Sequence, residues 1–380
     1  MDADLSLLKG VNFTCLEGCG YCCLFQPDVG LEEEKRLNDM GLSWSITRSH
    51  FSGSRALKLQ GGGGACIFLK NRRCQIYEDR PHFCREFPFH IYLGERAQVI
   101  PNLSCRGLWL SEEGNDKYLM PLKPAEEAAM PFVQRITDEM LDAPRKTMGE
   151  FHALLEKEGM GCPRPLLSDI AAALKEKLTD YEGIAAVLEF SWEYSGEPLP
   201  PDEIAEKLNG WAPETDLKEE AIEGARDALG LENPADLPVY SAEDLSWYIF
   251  QISGDRITRK RMTEKGPGRD TGSLSLEDVP LLPLTGEAKA LLTDYIDTLI
   301  ARDAFYGYVA YLLSEEGVES PLLNAYLGTL ATAVLDLLWR TSMLMRFEGS
   351  GAKIDRRALI NGIVFFDADI LDAPTLGEFV

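Results

Sequence analysis

Eight cysteines stand within residues 15–105, and their spacing is the first sign of chemistry. They run Cys15-x3-Cys19-x2-Cys22-Cys23, then Cys66-x7-Cys74-x9-Cys84, then Cys105. A ninth, Cys162, lies apart in EGMGCPRP, where it reads as an ordinary loop or capping residue. Thiolates grouped in this way are ligands for structural zinc or for iron–sulfur clusters, four to a centre in either case. Eight cysteines would fill two zinc sites, but the short C-x2-C pair usual for zinc occurs only at Cys19/Cys22. A dense run with remote cysteines fits an iron–sulfur cluster better. The expected cofactor is therefore an iron–sulfur cluster of the 4Fe-4S kind, with zinc as the alternative.

The elements that must position these sulfurs are short and glycine-rich. Gly18 and Gly20 flank Cys19 in CLEGCGYCC, which argues against a plain helix. Glycines let the chain wrap tightly and turn backbone N–H groups toward sulfur. GGGGAC (61–66) repeats the pattern before Cys66. Neighbouring side chains diverge, so Cys22 and Cys23 either serve different centres or one serves while the other packs. In ACIFLKNRRCQIYEDRPHFCREFPFH (65–90), IFL and IY predict a β-hairpin across the polar KNRR, with Cys66 and Cys74 held together. Pro81 and Pro88 then punctuate a turn carrying Cys84. Arg80 and Arg85 flank that cysteine. They either compensate thiolate charge and orient an anionic cofactor, or pair with Glu78, Asp79 or Glu86 on the surface. His82 and His90 are further candidate ligands, although eight cysteines leave no need for them. Tyr77 reads as a packing or hydrogen-bonding residue.

The combination CxxxCxxCC, then C-x-F-L…C-x-I-Y-E-x-R-P-x-x-C-R-x-F-P, then a later cysteine, resembles the YkgJ-type CxxCxxCC cysteine-cluster family, defined by eight cysteines thought to chelate zinc or iron. The resemblance covers roughly residues 10–110. It places Cys15, Cys19, Cys22, Cys23, Cys66, Cys74, Cys84 and Cys105 at the metal positions, and Arg80, Pro81, Arg85, Phe87 and Pro88 in the R-P…C-R-x-F-P run. Cys105 stands in SCRGLW, where many members have a cysteine–proline–glycine turn, so it is the departing position. Flagellin lysine N-methylase is similar in the same region. That partial resemblance implies methyl transfer from S-adenosylmethionine (SAM) to lysine amines of a protein substrate, with an iron–sulfur cluster involved. C-x3-C-x2-C with Tyr21 also spells the radical-SAM signature. Such enzymes need strands and helices alternating after the motif, whereas helical signals dominate here.

At 380 residues, 45% hydrophobic and 26% charged, the chain is long enough for one large domain or two ordinary ones. Its 38 basic against 62 acidic residues give a charge of −24. That disfavours nucleic acid and anionic membrane as partners. MDADLSLLKG lacks the basic and apolar regions of a signal peptide, so a cytoplasmic protein with reduced thiols is expected. The most apolar stretch, 322–339, carries Asp336 and ends at Arg340, which predicts a buried helix rather than a membrane span.

Apolar positions three to four apart predict helices over 125–143, 147–159 and 167–195, and again near 202–209, 217–229, 286–302, 304–315, 321–346 and 356–363. Ser168-Asp169 and Pro201-Asp202 supply starts, Gly159 and Gly210 stops, and GEPLPP (196–201) a loop. The basic island at 256–269 (RITRKRMTEKGPGR) reads as a solvated loop, with anion binding as its functional alternative. AFYGYVAY (304–311) reads as core. No phosphate-cradling glycine loop opens a helix, so no Rossmann methyltransferase fold is expected. The fold class is mainly α: an irregular cysteine-rich metal-binding domain with a short β-hairpin over 1–112, then an α-helical domain over 113–380. Three functions stay open: a SAM-dependent N-methyltransferase, a zinc-stapled assembly module without turnover, and an electron-transfer protein.

Overall fold

Turn-forming glycine, proline and cysteine crowd the first hundred residues too closely for long periodic elements, and the chain there folds into hairpins and single turns. A computed structural model describes residues 3–49, 53–109, 119–196, 198–314 and 320–377. In this first part lie the strands β1 (Asn12–Phe13), β2 (Ile46–Arg48), β3 (Arg55–Leu57), β4 (Leu69–Lys70), β5 (Arg73–Cys74), β6 (Phe89–Leu93) and β7 (Ala97–Pro101). The helices are α1 (Leu31–Asp39) and the five-residue α2 (His82–Glu86). β2–β3, β4–β5 and β6–β7 are antiparallel hairpins, and β1 pairs with a later strand, β8 (Lys123–Pro124).

The hairpin expected around KNRR is present but tighter than its apolar runs suggest. Leu69 pairs with Cys74 across Asn71-Arg72, both with φ near +50 to +60°. A two-residue turn needs these left-handed conformations so that its twist matches the strands. Cys66 therefore lies ahead of the hairpin, bridged to Leu59, and Tyr77 sits in a 3-10 turn rather than a strand.

Helices dominate the rest, as the periodicity predicts: α3 (Ala125–Val133), α4 (Asp142–Glu158), α5 (Arg164–Leu174), α6 (Tyr181–Glu193), α7 (Pro201–Asn209), α8 (Leu217–Leu229), α9 (Gly286–Ala301), α10 (Asp303–Ser314), α11 (Leu322–Glu348) and α12 (Arg356–Asp372). Two predicted helices are broken. The 125–143 stretch stops after Val133, two residues past Pro131. The 167–195 stretch divides at Asp180, whose side chain accepts the Gly183 N–H at 2.9 Å and caps α6. α5 already starts at Arg164, before Ser168-Asp169. The end of the helix expected over 304–315 and the 112/113 boundary lie outside the described residues.

An antiparallel sheet interrupts the helices, in the order β12-β11-β10-β9: β9 (Tyr240–Ser241), β10 (Trp247–Ser253), β11 (Arg256–Thr263) and β12 (Gly266–Ser275). The basic island expected as a loop is the β11–β12 hairpin. Its cations are held along the strands, with Arg256 donating to Ser273 and Arg259 to Thr271. Polar side chains on an exposed edge hide the alternation that would have marked it.

α11 is the spine of the helical core. By length and composition it could cross a membrane, yet 72% of its most apolar window is buried among the other helices. Its charges are matched inside: Arg340, 1% exposed, donates to Asp336 one turn earlier and to Asp369 of α12. A second buried pair ties this core to the cysteine region. Arg302 and Asp367 (1% and 0% exposed) meet at 2.6 Å. Tyr295 donates to Asp367, as does the backbone N–H of Leu103, while Arg302 also reaches the Pro101 carbonyl. The segment leading to Cys105 is thus hydrogen-bonded onto α9 and α12.

Breaking a buried pair from one side leaves the other charge uncompensated. Asp367→Asn should therefore cost about 3–5 kcal/mol of unfolding free energy in urea titration. Lys146→Ala, at the exposed pair with Glu150, should change it by less than about 1 kcal/mol. Equal effects would show that the buried network does not join the two regions.

Candidate metal centre

The dense cysteine run is shaped by two glycines in left-handed conformation, Gly18 (φ +78°) and Gly20 (φ +61°). A Cβ on Gly20 would also press on Trp247 at 3.2 Å and Leu69 at 3.3 Å. Tyr21–Cys23 then form one 3-10 turn, and the Cys66 N–H donates to the Cys23 carbonyl at 2.7 Å. That bond joins the two halves of the motif. GGGG does something different from wrapping sulfur: it admits the β11–β12 turn. A Cβ on Gly64 would stand 2.5 Å from the Glu264 carbonyl, one on Gly61 would collide with the Lys265 carbonyl, and the Ala65 N–H donates to Glu264 O at 2.9 Å.

The eight thiols line two adjoining cavities. One, of about 470 Å³, is bordered by Cys15, Cys19, Cys22, Cys84 and Cys105. The other, of about 410 Å³, is bordered by Cys15, Cys22, Cys23, Cys66, Cys74 and Cys84. Cys15, Cys22 and Cys84 form the shared wall, whereas Cys23 faces one compartment only. Among the described residues, no three His, Cys, Asp or Glu side chains close on a single ion. Cys23 is within hydrogen-bonding reach of Cys22 and Cys74, and the other five sulfurs stand around the two spaces.

Burial raises most of these thiols because the thiolate loses its hydration. It pushes Cys15 up to about 12, and Cys19 and Cys66 to about 11. Cys84 and Cys105 are raised further, again by burial and then by the neighbouring sulfurs. Cys22 and Cys74 go the other way, Cys74 down to about 7, because the Cys23 thiol hydrogen-bonds both. Backbone N–H groups two residues ahead also favour thiolate at four positions: Tyr21 to Cys19, Phe68 to Cys66, Ile76 to Cys74 and Gly107 to Cys105. This is the donor chemistry a thiolate-bound metal requires, with N–H groups aimed at sulfur.

Arg80 borders both cavities, and its charge favours the thiolates of Cys15, Cys22, Cys74 and Cys84. Its guanidinium lies 3.9 Å over the Tyr77 ring, and its buried Nε has no hydrogen-bond partner. Arg85 borders the larger cavity but donates to the Arg80 and Glu78 backbone carbonyls, which fastens α2 to the preceding turn. His82 pairs with Glu86 at 2.7 Å. His90 borders a third space of about 250 Å³ beside Cys22 and Cys84. Cys162 is buried in the helical core, away from the eight.

Two arginines of the site were hidden in the sequence. Arg72 sits 3.2 Å over the Trp247 ring, donates to the Cys19 carbonyl and favours the Cys19 thiolate. Arg106 is buried, donates to the Ser241 carbonyl and also favours the Cys19 thiolate. Arg72 lay in a turn that reads as merely polar; the signal for Arg106 was its place directly after Cys105.

Residues 14–106 match the family described as "CxxCxxCC: Putative zinc- or iron-chelating domain". This segment resembles a CxxCxxCC domain. The match covers roughly a quarter of the chain and brings zinc or iron chelation to the cysteine cluster. MJ0661, an uncharacterized protein of Methanocaldococcus jannaschii, is 26% identical over 115 residues, which are 28% of this chain and 63% of that protein. The chain thus spans under two thirds of that relative's length. No solved structure shows a significant match.

Cys22 faces both compartments and Cys105 only one, so their loss should differ. Cys22→Ser should remove most bound metal, Cys105→Ser a part, and Cys162→Ser none, as read by metal analysis per folded chain. Full retention in Cys22→Ser, or loss in Cys162→Ser, would contradict the arrangement.

Proposed function

We propose that this chain is an iron–sulfur protein, with its CxxCxxCC domain holding polynuclear clusters in the two adjoining compartments. The observation that carries this reading is the division of the thiols. Five border one space and six the other, three of them shared, so each compartment offers at least the four thiolates a cluster takes. A mononuclear zinc site asks instead for four sulfurs about 2.3 Å from one point, whereas the Cys23 thiol hydrogen-bonds two others, Cys22 and Cys74. The N–H groups and arginines facing the sulfurs suit a cluster whose thiolates bring several negative charges into a buried place. Reduced thiols need a reducing compartment, so a cytoplasmic setting belongs to the proposal.

Methyl transfer from SAM lies outside it. The matched family is described by chelation alone.

Protein purified without oxygen should contain iron and acid-labile sulfide in equal amounts. It should also show broad visible absorption that bleaches on reduction. Stoichiometric zinc without sulfide would overturn the proposal.

A further inference from the structure

The larger compartment extends well beyond its sulfurs. Its 470 Å³ falls in the range of small-molecule pockets, about 300–1,000 Å³ with mostly apolar walls and a few polar groups. Phe13, Phe89, Phe132 and Met120 supply the apolar wall. Four cations border it as well: Arg80, Arg85, Lys123 and Arg135. No acid borders it among the described residues, in a chain with a charge of −24.

These cations do not all serve the sulfurs. Arg80, Arg72 and Arg106 are the ones whose charge the thiols feel most. Arg135 acts instead on His82 and Glu86, and Lys123 on none of the cysteines to a comparable degree. Among the described residues neither Lys123 nor Arg135 makes an ion pair or a side-chain hydrogen bond. Lys123 is fixed on β8 by its pairing with Phe13, and Arg135 follows α3 directly. Two cations with no direct ion pair among the described residues, Arg135 sharing its charge with Glu86, are therefore held at the edge of an apolar cavity whose floor is thiol, with the partnerless Nε of Arg80 buried beside it.

We infer that this compartment binds a small organic anion, a carboxylate or phosphate on an aromatic or apolar body, with the anionic group held by Lys123 and Arg135 and the body among Phe13, Phe132 and Met120. The inference builds on the reading that the thiols hold metal, which places the ligand beside the metal centre. Guanidinium and ammonium groups take either anionic head, and the apolar wall selects against a bare ion.

Calorimetric titration of the metal-loaded protein with benzoate, phenyl phosphate and inorganic phosphate tests it, alongside Lys123→Gln/Arg135→Gln and the surface control Lys146→Gln. At least one aromatic anion should bind more tightly than inorganic phosphate, and benzoate against phenyl phosphate tells which head is preferred. The double variant should weaken that binding by about tenfold to a hundredfold, with metal content unchanged and the control unaffected. Absence of binding by all three at millimolar concentration would overturn the inference, as would undiminished binding in the double variant. Loss of metal in the double variant would also overturn it, by making the cations part of the metal site. Iron, zinc and sulfide measured on the same samples report separately on the cluster, so a zinc-loaded protein that still takes the anion would contradict only the cluster.

Discussion

Eight thiols drawn out of water into one small region set the terms for everything around them. Burial alone favours the neutral thiol, as at Cys15, Cys19 and Cys66, and each ionised sulfur repels the next. A bound metal reverses that balance, because coordination strips the thiol proton and supplies the missing positive charge. The protein meets it halfway. Four backbone N–H groups, the Cys23 thiol and three arginines already favour sulfur anions before any metal arrives. Such an arrangement has little value in a region that merely packs cysteine as a small apolar residue.

Short hairpins and single turns cannot hold these sulfurs unaided, since they bury little surface of their own. The later part of the chain supplies the support. Trp247 lies under Arg72 and against Gly20, Tyr21 donates to the Val239 carbonyl, and the β11–β12 turn seats on GGGG. On the other side the Arg302–Asp367 pair grips the segment before Cys105. Sheet and helices together form the frame in which the cysteine loops keep one arrangement.

The cysteine pattern and most helices were legible in the sequence because each depends on local signals: spacing, apolar period, capping residues. The tertiary uses of residues were not. GGGG was expected to wrap a sulfur, but it clears room for a strand turn 200 residues away, which no local pattern announces. Arg72 looked like a turn residue and Arg106 drew no reading until the fold brought Trp247 and Ser241 against them. The sheet β9–β12 escaped notice because its edge strand, GPGRDTGSLS, has the composition of a loop and takes its strand form from pairing with β11. Helix breaks were missed for a related reason: the apolar period runs on across Asp180, while the cap it forms with Gly183 starts a new helix there.

X-ray absorption at the metal edge, on protein isolated without oxygen, tests the central claim most directly, because it sees whether each metal has another metal beside it. Polynuclear clusters in the two compartments predict an iron edge, a shell of sulfur and a second shell of neighbouring iron. A zinc edge with sulfur alone at about 2.3 Å and no metal neighbour would contradict the account.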